Sequence, residues 1–479
     1  MDENEDRLDA VIAVPPDRKT KENFDRDIKL DLSNQDKEYE QKMFPVNIVF
    51  DSNALMKWQF GYMMHYSGQN EAVKLLEDFQ REVITTIISY KLPVITLSKE
   101  TPREAVCKVF ENVNTGGVPL TVFELVTATY ATREFNLRDD WKVCKKQIRG
   151  IDDTLRTDLL DGIDETTFLT AVALYTSYVD KQAGKIGAVS CKKKDVLNLT
   201  FESYVANRDQ VLLGFRIARD FLLKYQYVFR QRDLPYTTQL IPLAAICAFL
   251  GKSKCNEANT IAILSRWYWC GILGEMYGGA NETRYANDIE DVVDEVLQKP
   301  SQSRTVNSAF FSATRLLTLR TRLSAAYKGI MALLYKAKCR DFMNDTTIDI
   351  VNSMLEAPDI HHIFPEAYCE KMGIKQQRYN SIVNKTPILP ATNRSIGGNA
   401  PSEYIKIILK KVNNLTEEEL KARIESHCIN YDALAADDFD TYFIDRAKKL
   451  LNLIESAMGK PVADRSAEIT IEQFGASLA

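Results

Sequence analysis

Apolar residues recur at three- and four-residue intervals over "NEAVKLLEDFQREVITTIISY" (70–90) and almost throughout 136–337. That spacing predicts one-sided helices. Its clearest stretches are 166–182, 208–229, 258–273 and 307–323, and "LIPLAAICAFLG" (240–251) is apolar enough to be a core helix. Two short β-branched runs, "PVNIVF" (45–50) and "LPVITL" (92–97), have strand composition. Residues 1–45 are otherwise polar and read as loop, "QKPSQS" (298–303) reads as a linker, and the region after 402 returns to helical spacing. Thr121 with Glu124, and Thr416 with Glu419, are spaced as capping boxes that open helices. No internal repeat is visible. The pattern predicts a mainly α (α+β) chain.

Composition narrows this little. The 479 residues, 45% hydrophobic and 27% charged, suffice for two or three domains with real cores. No apolar run approaches the ~18 residues of a membrane span. The acidic start "MDENEDRLDA" is unlike a secretory signal. Nine cysteines without a Cys-x-x-Cys pair read as reduced thiols of a cytoplasmic protein.

Charge changes the picture more. Residues 1–42 hold thirteen acids against eight bases, and 281–300 hold six against two. The sign then reverses: 301–341 and 371–411 each hold eight bases against one acid. A solvated basic face explains such runs, but next to a metal site a polyanion such as a nucleic-acid backbone becomes the better partner. Lys371, Lys375, Arg378, Lys385 and Arg394 are the candidate phosphate contacts.

Two of the chain's four histidines are adjacent, in "DIHHIFPEAY" (359–368). A bare pair also suits an edge strand that buries one ring, so the surrounding residues decide. "DIHHIF" is a strand-like run halted by Pro365, "SIVNKTPIL" can be a second strand bearing Asn384, and "PATNRSIGG" turns into a helical segment bearing Asn393. This β-β-α order gathers His361, His362, Asn384 and Asn393. A neutral histidine can deprotonate water, and a metal opposite can polarise a phosphate. The set suits phosphodiester hydrolysis. A purely structural zinc site is disfavoured, since asparagine is a poor ligand for one and no cysteines cluster nearby.

These residues resemble the HNH (His-Me finger) nucleases, and more narrowly the nuclease domain of GmrSD-type restriction endonucleases. "NKTPIL", "TNRSIGG", "APSEYI" (400–405) and "DFDTYFIDRAKKLLNLIESAMGK" (438–460) are similar to that family's text. The resemblance implies His362 as general base, His361 and Asn393 as ligands of a single divalent ion, Mg2+ or Mn2+, and Asn384 as the residue that holds the base loop. Upstream, Phe110, Asn114, Gly117, Leu120, Glu124 and Leu125 in 92–125 resemble the second half of the family's ParB/sulfiredoxin-like N-terminal domain, a nucleotide-hydrolysing module. Asn114 and Gly117 would face the nucleotide. The family's Asp-Gly-Gln-Gln-Arg run has no counterpart here, and the turn lacks the Gly-x-x-x-x-Gly-Lys-Ser/Thr arrangement, so hydrolysis of a nucleoside triphosphate by this chain alone is not implied.

The resulting expectation is a partial ParB/sulfiredoxin-like domain (1–135), a helical middle (136–300) and an HNH domain (301–479) whose ββα-metal core is embedded in helices. Its function is that of a metal-dependent DNA endonuclease or nickase in restriction of phage or modified DNA. The alternative is a non-catalytic DNA-binding or nucleotide-sensing subunit of a split system. DNA is the expected partner, with a companion polypeptide or a second copy of the chain as protein partners, and no membrane.

Overall fold

The helical spacing over 258–273 becomes a helix with those bounds, and the neighbouring helices follow it closely. They are seen in a computed structural model that describes residues 19–22, 27–92, 121–149, 157–345 and 357–479, with the single residues 94, 96, 98, 101, 105, 106, 109 and 347. The chain forms two compact units, Met1–Lys99 and Glu100–Ala479.

In the first unit an antiparallel hairpin, β1 (Lys19–Glu22) with β2 (Asp27–Asp31), precedes α1 (Gln35–Glu40), so the polar 1–45 stretch is not simply loop. Two longer helical segments follow, α2 (Ser52–His65) and α3 (Asn70–Phe79), the latter continuing through a π turn into α4 (Thr85–Ser89). Tyr39, Trp58, Tyr62 and Leu76 make its main core, and the Trp58 indole donates to the buried Glu38 carboxylate at 2.8 Å. The strand expected at 45–50 is instead a 3-10 turn, Val46–Ile48. No neighbouring strand pairs with it among the described residues, and β-branched composition without a partner does not make a strand. Of the second expected strand, 92–97, residues 93, 95 and 97 lie outside the described residues, and 92, 94 and 96 have no assigned strand.

The second unit is built on one apolar core running from Phe123 to Leu478. Thr121 and Glu124 cap α5 (Val122–Ala131) reciprocally, followed by α6 (Leu137–Arg149), α7 (Glu165–Gln182) and α8 (Phe201–Phe221). The helix expected over 208–229 ends early, in a π turn (Leu222–Gln226) closed by Tyr227 at φ +58°. The apolar stretch becomes α9 (Leu240–Cys255), buried from Leu240 to Ala248. It lies so close to α8 that a Cβ added at Gly214 would overlap the Ala244 carbonyl oxygen. Next come α10 (Ala258–Leu273) and α11 (Glu282–Val296).

Part of the charge reversal near 300 is internal. After the turn, Arg304 binds Asp291 through Nε and Nη2 at 3.0 and 2.8 Å, while Asp288, fully buried, accepts from Trp267, Tyr277 and Thr305. The helix expected over 307–323 does not form. Ala309, Phe311 and Ala313 are buried alternately while Phe310 is 71% exposed, a period of two. Phe311 and Ala313 pair with the backbone of Ala463. A period-two segment that finds a bridge partner stays extended, and only Arg304–Ser308 and Arg315–Thr318 are helical. The chain then enters α12 (Ala325–Lys336). No helix among the described residues is long and apolar enough to cross a membrane, and the eight described cysteines are free.

Candidate functional site

Two four-residue strands hold the histidine pair: β3 (Asp359–His362) and β4 (Lys385–Ile388), antiparallel, with His361 opposite Thr386 and His362 opposite Lys385. Pro387 in β4 fits a two-stranded ribbon, where one side of each strand has no ladder to complete. Leu389 then caps α13 (Pro390–Ile396), which begins with proline, the residue pre-set for a first helical turn. Asp341 fixes that start: its buried carboxylate accepts from the Leu389 N–H at 2.8 Å and the Thr392 hydroxyl at 2.6 Å.

The structure brings His361 and Asn393 together. His361 Nδ1 lies 3.0 Å from Asn393 Oδ1, and Asn393 Nδ2 donates to Asp359 Oδ2 at 3.3 Å. The Asp359 contact orients the amide so that its oxygen faces the imidazole. A proton on Nδ1 satisfies that contact but leaves the Nε2 lone pair bare, and Nε2 is buried without a partner among the described residues. A proton on Nε2 instead sets two lone pairs face to face. An imidazole nitrogen and an amide oxygen converging in this way, beside a carboxylate, fit a divalent cation. His361 is only 3% exposed, and burial pulls its pKa down to about 4, which keeps the ring neutral. Among the described residues no cluster of three His, Cys, Asp or Glu side chains could hold a metal, so such a site must recruit asparagine.

His362 stands apart from that pair. It is half-buried, and its Nε2 is 3.3 Å from Asn380 Oδ1. An amide oxygen only accepts, so Nε2 carries the proton and Nδ1 keeps its lone pair. Burial, and then the Lys385 ammonium, push its pKa below the ordinary 6.5. The ring is neutral at pH 7, as a general base requires. Asn384 is fully buried: Oδ1 accepts from the Phe364 N–H at 2.9 Å, and Nδ2 donates to the Phe364 and Tyr379 carbonyls at 2.8 and 2.9 Å. It thus ties the chain two residues beyond His362 to the turn before β4. The long helix α14 (Phe439–Met458) braces the same turn, its Tyr442 hydroxyl donating to the Val383 carbonyl at 3.0 Å.

The five candidate DNA contacts divide. Lys371, Lys375 and Arg394 are exposed. Lys385 is 6% exposed with its ammonium given to the Arg320 carbonyl at 2.6 Å. Arg378 is paired with Asp440 at 2.6 Å and stacked over Phe439 and Phe443. These two already have partners within the chain, so a phosphate would have to compete with the Arg320 carbonyl for Lys385 and with the exposed Asp440 for Arg378. Asn114 and Gly117 lie outside the described residues. Two neighbours escaped the reading of the chain. Asp359 had a signal, since it is two residues from His361 and so on the same strand face. Asn380 had none, because only the tertiary turn carries it to His362.

His427 is a structural histidine. Its Nε2 donates to the Arg340 carbonyl at 2.7 Å, so Nδ1 accepts from the Thr386 hydroxyl at 2.7 Å, directly behind His361 in the ribbon. Burial lowers its pKa to about 3. Both buried rings bind fewer protons folded than unfolded, so their stabilisation is complete above the ordinary 6.5 and is lost as pH falls toward 4 and 3. Thermal melts should therefore show Tm falling from pH 7 to pH 4, with a shallower fall in His427→Gln. Equal slopes would mean that His427 carries none of the dependence.

Residues 5–131 match the GmrSD restriction endonuclease N-terminal domain. The match ends with α5 and includes Asn114 and Gly117. A protein of Methanocaldococcus jannaschii described as uncharacterized is 24% identical over 484 residues, covering 93% of this chain and 76% of that protein. That likeness extends far beyond the N-terminal match.

Proposed function

We propose that the chain is a metal-dependent DNA endonuclease or nickase of a restriction system, with the β3–β4–α13 unit as its nuclease centre. The observation that carries this reading is the convergence of His361 Nδ1 and Asn393 Oδ1 at 3.0 Å on the ribbon that also bears a neutral His362. The match of residues 5–131 to a restriction endonuclease domain supports the same assignment. His362 accepts the proton of the attacking water on Nδ1, Asn380 steadies its ring, and Asn384 holds the loop behind it. Attack at phosphorus breaks one P–O bond of the backbone, and the departing oxygen takes up a proton from solvent. His361 and Asn393, with Asp359 beside them, would hold Mg2+ or Mn2+, which when bound polarises the phosphate and stabilises the leaving oxygen. Recognition of modified DNA falls to the region 1–135 or to a companion chain.

The test is conversion of supercoiled plasmid to nicked or linear form, with modified and unmodified DNA, titrated with Mg2+ and Mn2+. Cleavage is expected with metal and not in chelator. Asn393→Ala should move the metal midpoint upward by roughly tenfold or more, with partial rescue at high metal. Full cleavage in chelator would remove the metal from this reading. An unchanged midpoint in Asn393→Ala would remove Asn393 from the ligand set.

A further inference from the structure

The cations of 301–341 do not all end in internal pairs, and those left over lie together. Arg304, Arg315 and Arg340 face Asp291, Glu275 and Asp345. Lys336 and Lys338 lie over the Trp269 and Tyr227 rings. Arg322 and Lys328 instead donate to main-chain carbonyls, those of Pro358 and Leu234, at 3.3 and 3.0 Å. Arg320 is exposed, and among the described residues none of the three is in an ion pair.

These three flank the histidine ribbon. The 319–323 loop is stitched to it by the Ile382 N–H on the Leu319 carbonyl at 2.8 Å, by Lys385 Nζ on the Arg320 carbonyl at 2.6 Å, and by Arg322 on the residue preceding β3. Lys385 is the cross-strand neighbour of His362, so the Arg320 backbone sits beside the end of the ribbon that carries the base. At the other end a hollow is lined by Arg230, Arg232, Asp233, Arg322, Lys328 and Ile360. Four cations meet one carboxylate there. Ile360 precedes His362 by two residues, which puts both on one strand face about 7 Å apart. The loop tip adds Leu323, 94% exposed.

A free nucleotide would call for charge confined to the hollow and a cradle of backbone N–H groups. Here the positive charge continues from the hollow along the loop to Arg320, beside an exposed apolar tip, which matches a phosphate backbone with a sugar or base edge against Leu323.

We propose that the 319–323 loop together with Lys328 is a DNA-backbone clamp, Arg322 and Lys328 receiving one phosphate at the mouth of the hollow and Arg320 another nearer His362. The clamp rests on the nuclease reading above, but its test does not require cleavage. Duplex affinity is measured by fluorescence anisotropy across a salt series, using the full chain in a His362→Ala background. The combined Arg320→Gln, Arg322→Gln, Lys328→Gln variant should bind at least tenfold more weakly near physiological salt, and its slope of log affinity against log salt should shrink by about two, one per phosphate. Arg322→Lys keeps the charge and should retain most of the slope, which separates lost contact from lost folding. Lys371→Gln with Lys375→Gln, the exposed candidates of the later basic stretch, should lower the slope by less than the triple variant does.

An unchanged slope in the triple variant, or a slope that follows Lys371 and Lys375 instead, overturns the clamp. So does stabilisation by a nucleoside triphosphate that depends on Lys328 while DNA binding is untouched. A loop-dependent slope with no plasmid cleavage by the unmutated chain would overturn the nuclease reading alone. Active enzyme with a loop-independent slope would overturn the clamp alone.

Discussion

His362→Ala should lower plasmid cleavage by about a thousandfold, within the range expected for removing a general base, while duplex binding stays within about twofold. The substitution deletes a half-buried ring whose one described hydrogen bond is to Asn380, so little of the fold depends on it. The phosphate contacts proposed above lie elsewhere, on Arg320, Arg322 and Lys328. In the unmutated chain the rate should be flat through neutral pH and fall on the acid side below the ordinary imidazole value, because burial and Lys385 hold the ring neutral to lower pH. The sign follows from the role: a base works only unprotonated, and a lowered pKa moves its loss of activity toward acid. Activity that falls instead as pH rises through 7 would contradict a neutral base at this position. Equal loss of binding and cleavage in His362→Ala would assign the ring to substrate contact.

The largest expected effect on stability belongs to Asn384→Ala. The amide satisfies one N–H and two carbonyls in a site with no exposed surface, and alanine leaves the Phe364 N–H and the Tyr379 carbonyl unmatched and the Phe364 carbonyl with only the weak Cys369 thiol donor. An unsatisfied buried polar group costs about 1–3 kcal/mol, so a loss of roughly 3–5 kcal/mol is expected in denaturant unfolding after partial relaxation. Cleavage should fall with it even where the protein remains folded, since Phe364 is two residues past His362 and its backbone would no longer be held. Asn384→Asp separates the causes. It preserves the shape and one acceptor but loses both donors and buries a charge, so it should be no better than alanine. Recovery of stability in Asn384→Asp would show that shape, not donation, is what the site needs.

Much of the architecture was readable along the chain, and the failures have specific causes. The helices at 165–182 and 258–273 carry an apolar stripe that has to be buried whatever its neighbours are, so periodicity placed them within a residue or so. The capping boxes at Thr121 and Thr416 are local hydrogen-bond patterns and appear as spaced. The run at 307–323 misled because Leu316, Leu317 and Leu319 suggest a helix, while the alternation at 309–313 became meaningful only once Ala463, about 150 residues later, arrived to pair with it. The run at 45–50 failed for the converse reason, a strand composition without a partner.

For the candidate site, the chain by itself determined the order of His361, His362, Asn384 and Asn393 and the β-β-α path that carries them, because β3, β4 and α13 are short elements whose boundaries are set by prolines and by strand alternation. It also determined that charge is segregated near residue 300. Tertiary structure alone decided which of those charges are free. Arg304 and Arg378 are each taken up by a carboxylate, one of them 62 residues away, whereas Arg320, Arg322 and Lys328 are left beside the ribbon. It also decided which histidine is buried against asparagine and which keeps a lone pair near the surface. Composition counts charges and spacing orders them, but neutralisation and desolvation depend on distances of a few ångströms between segments far apart in sequence, and those are set only by packing.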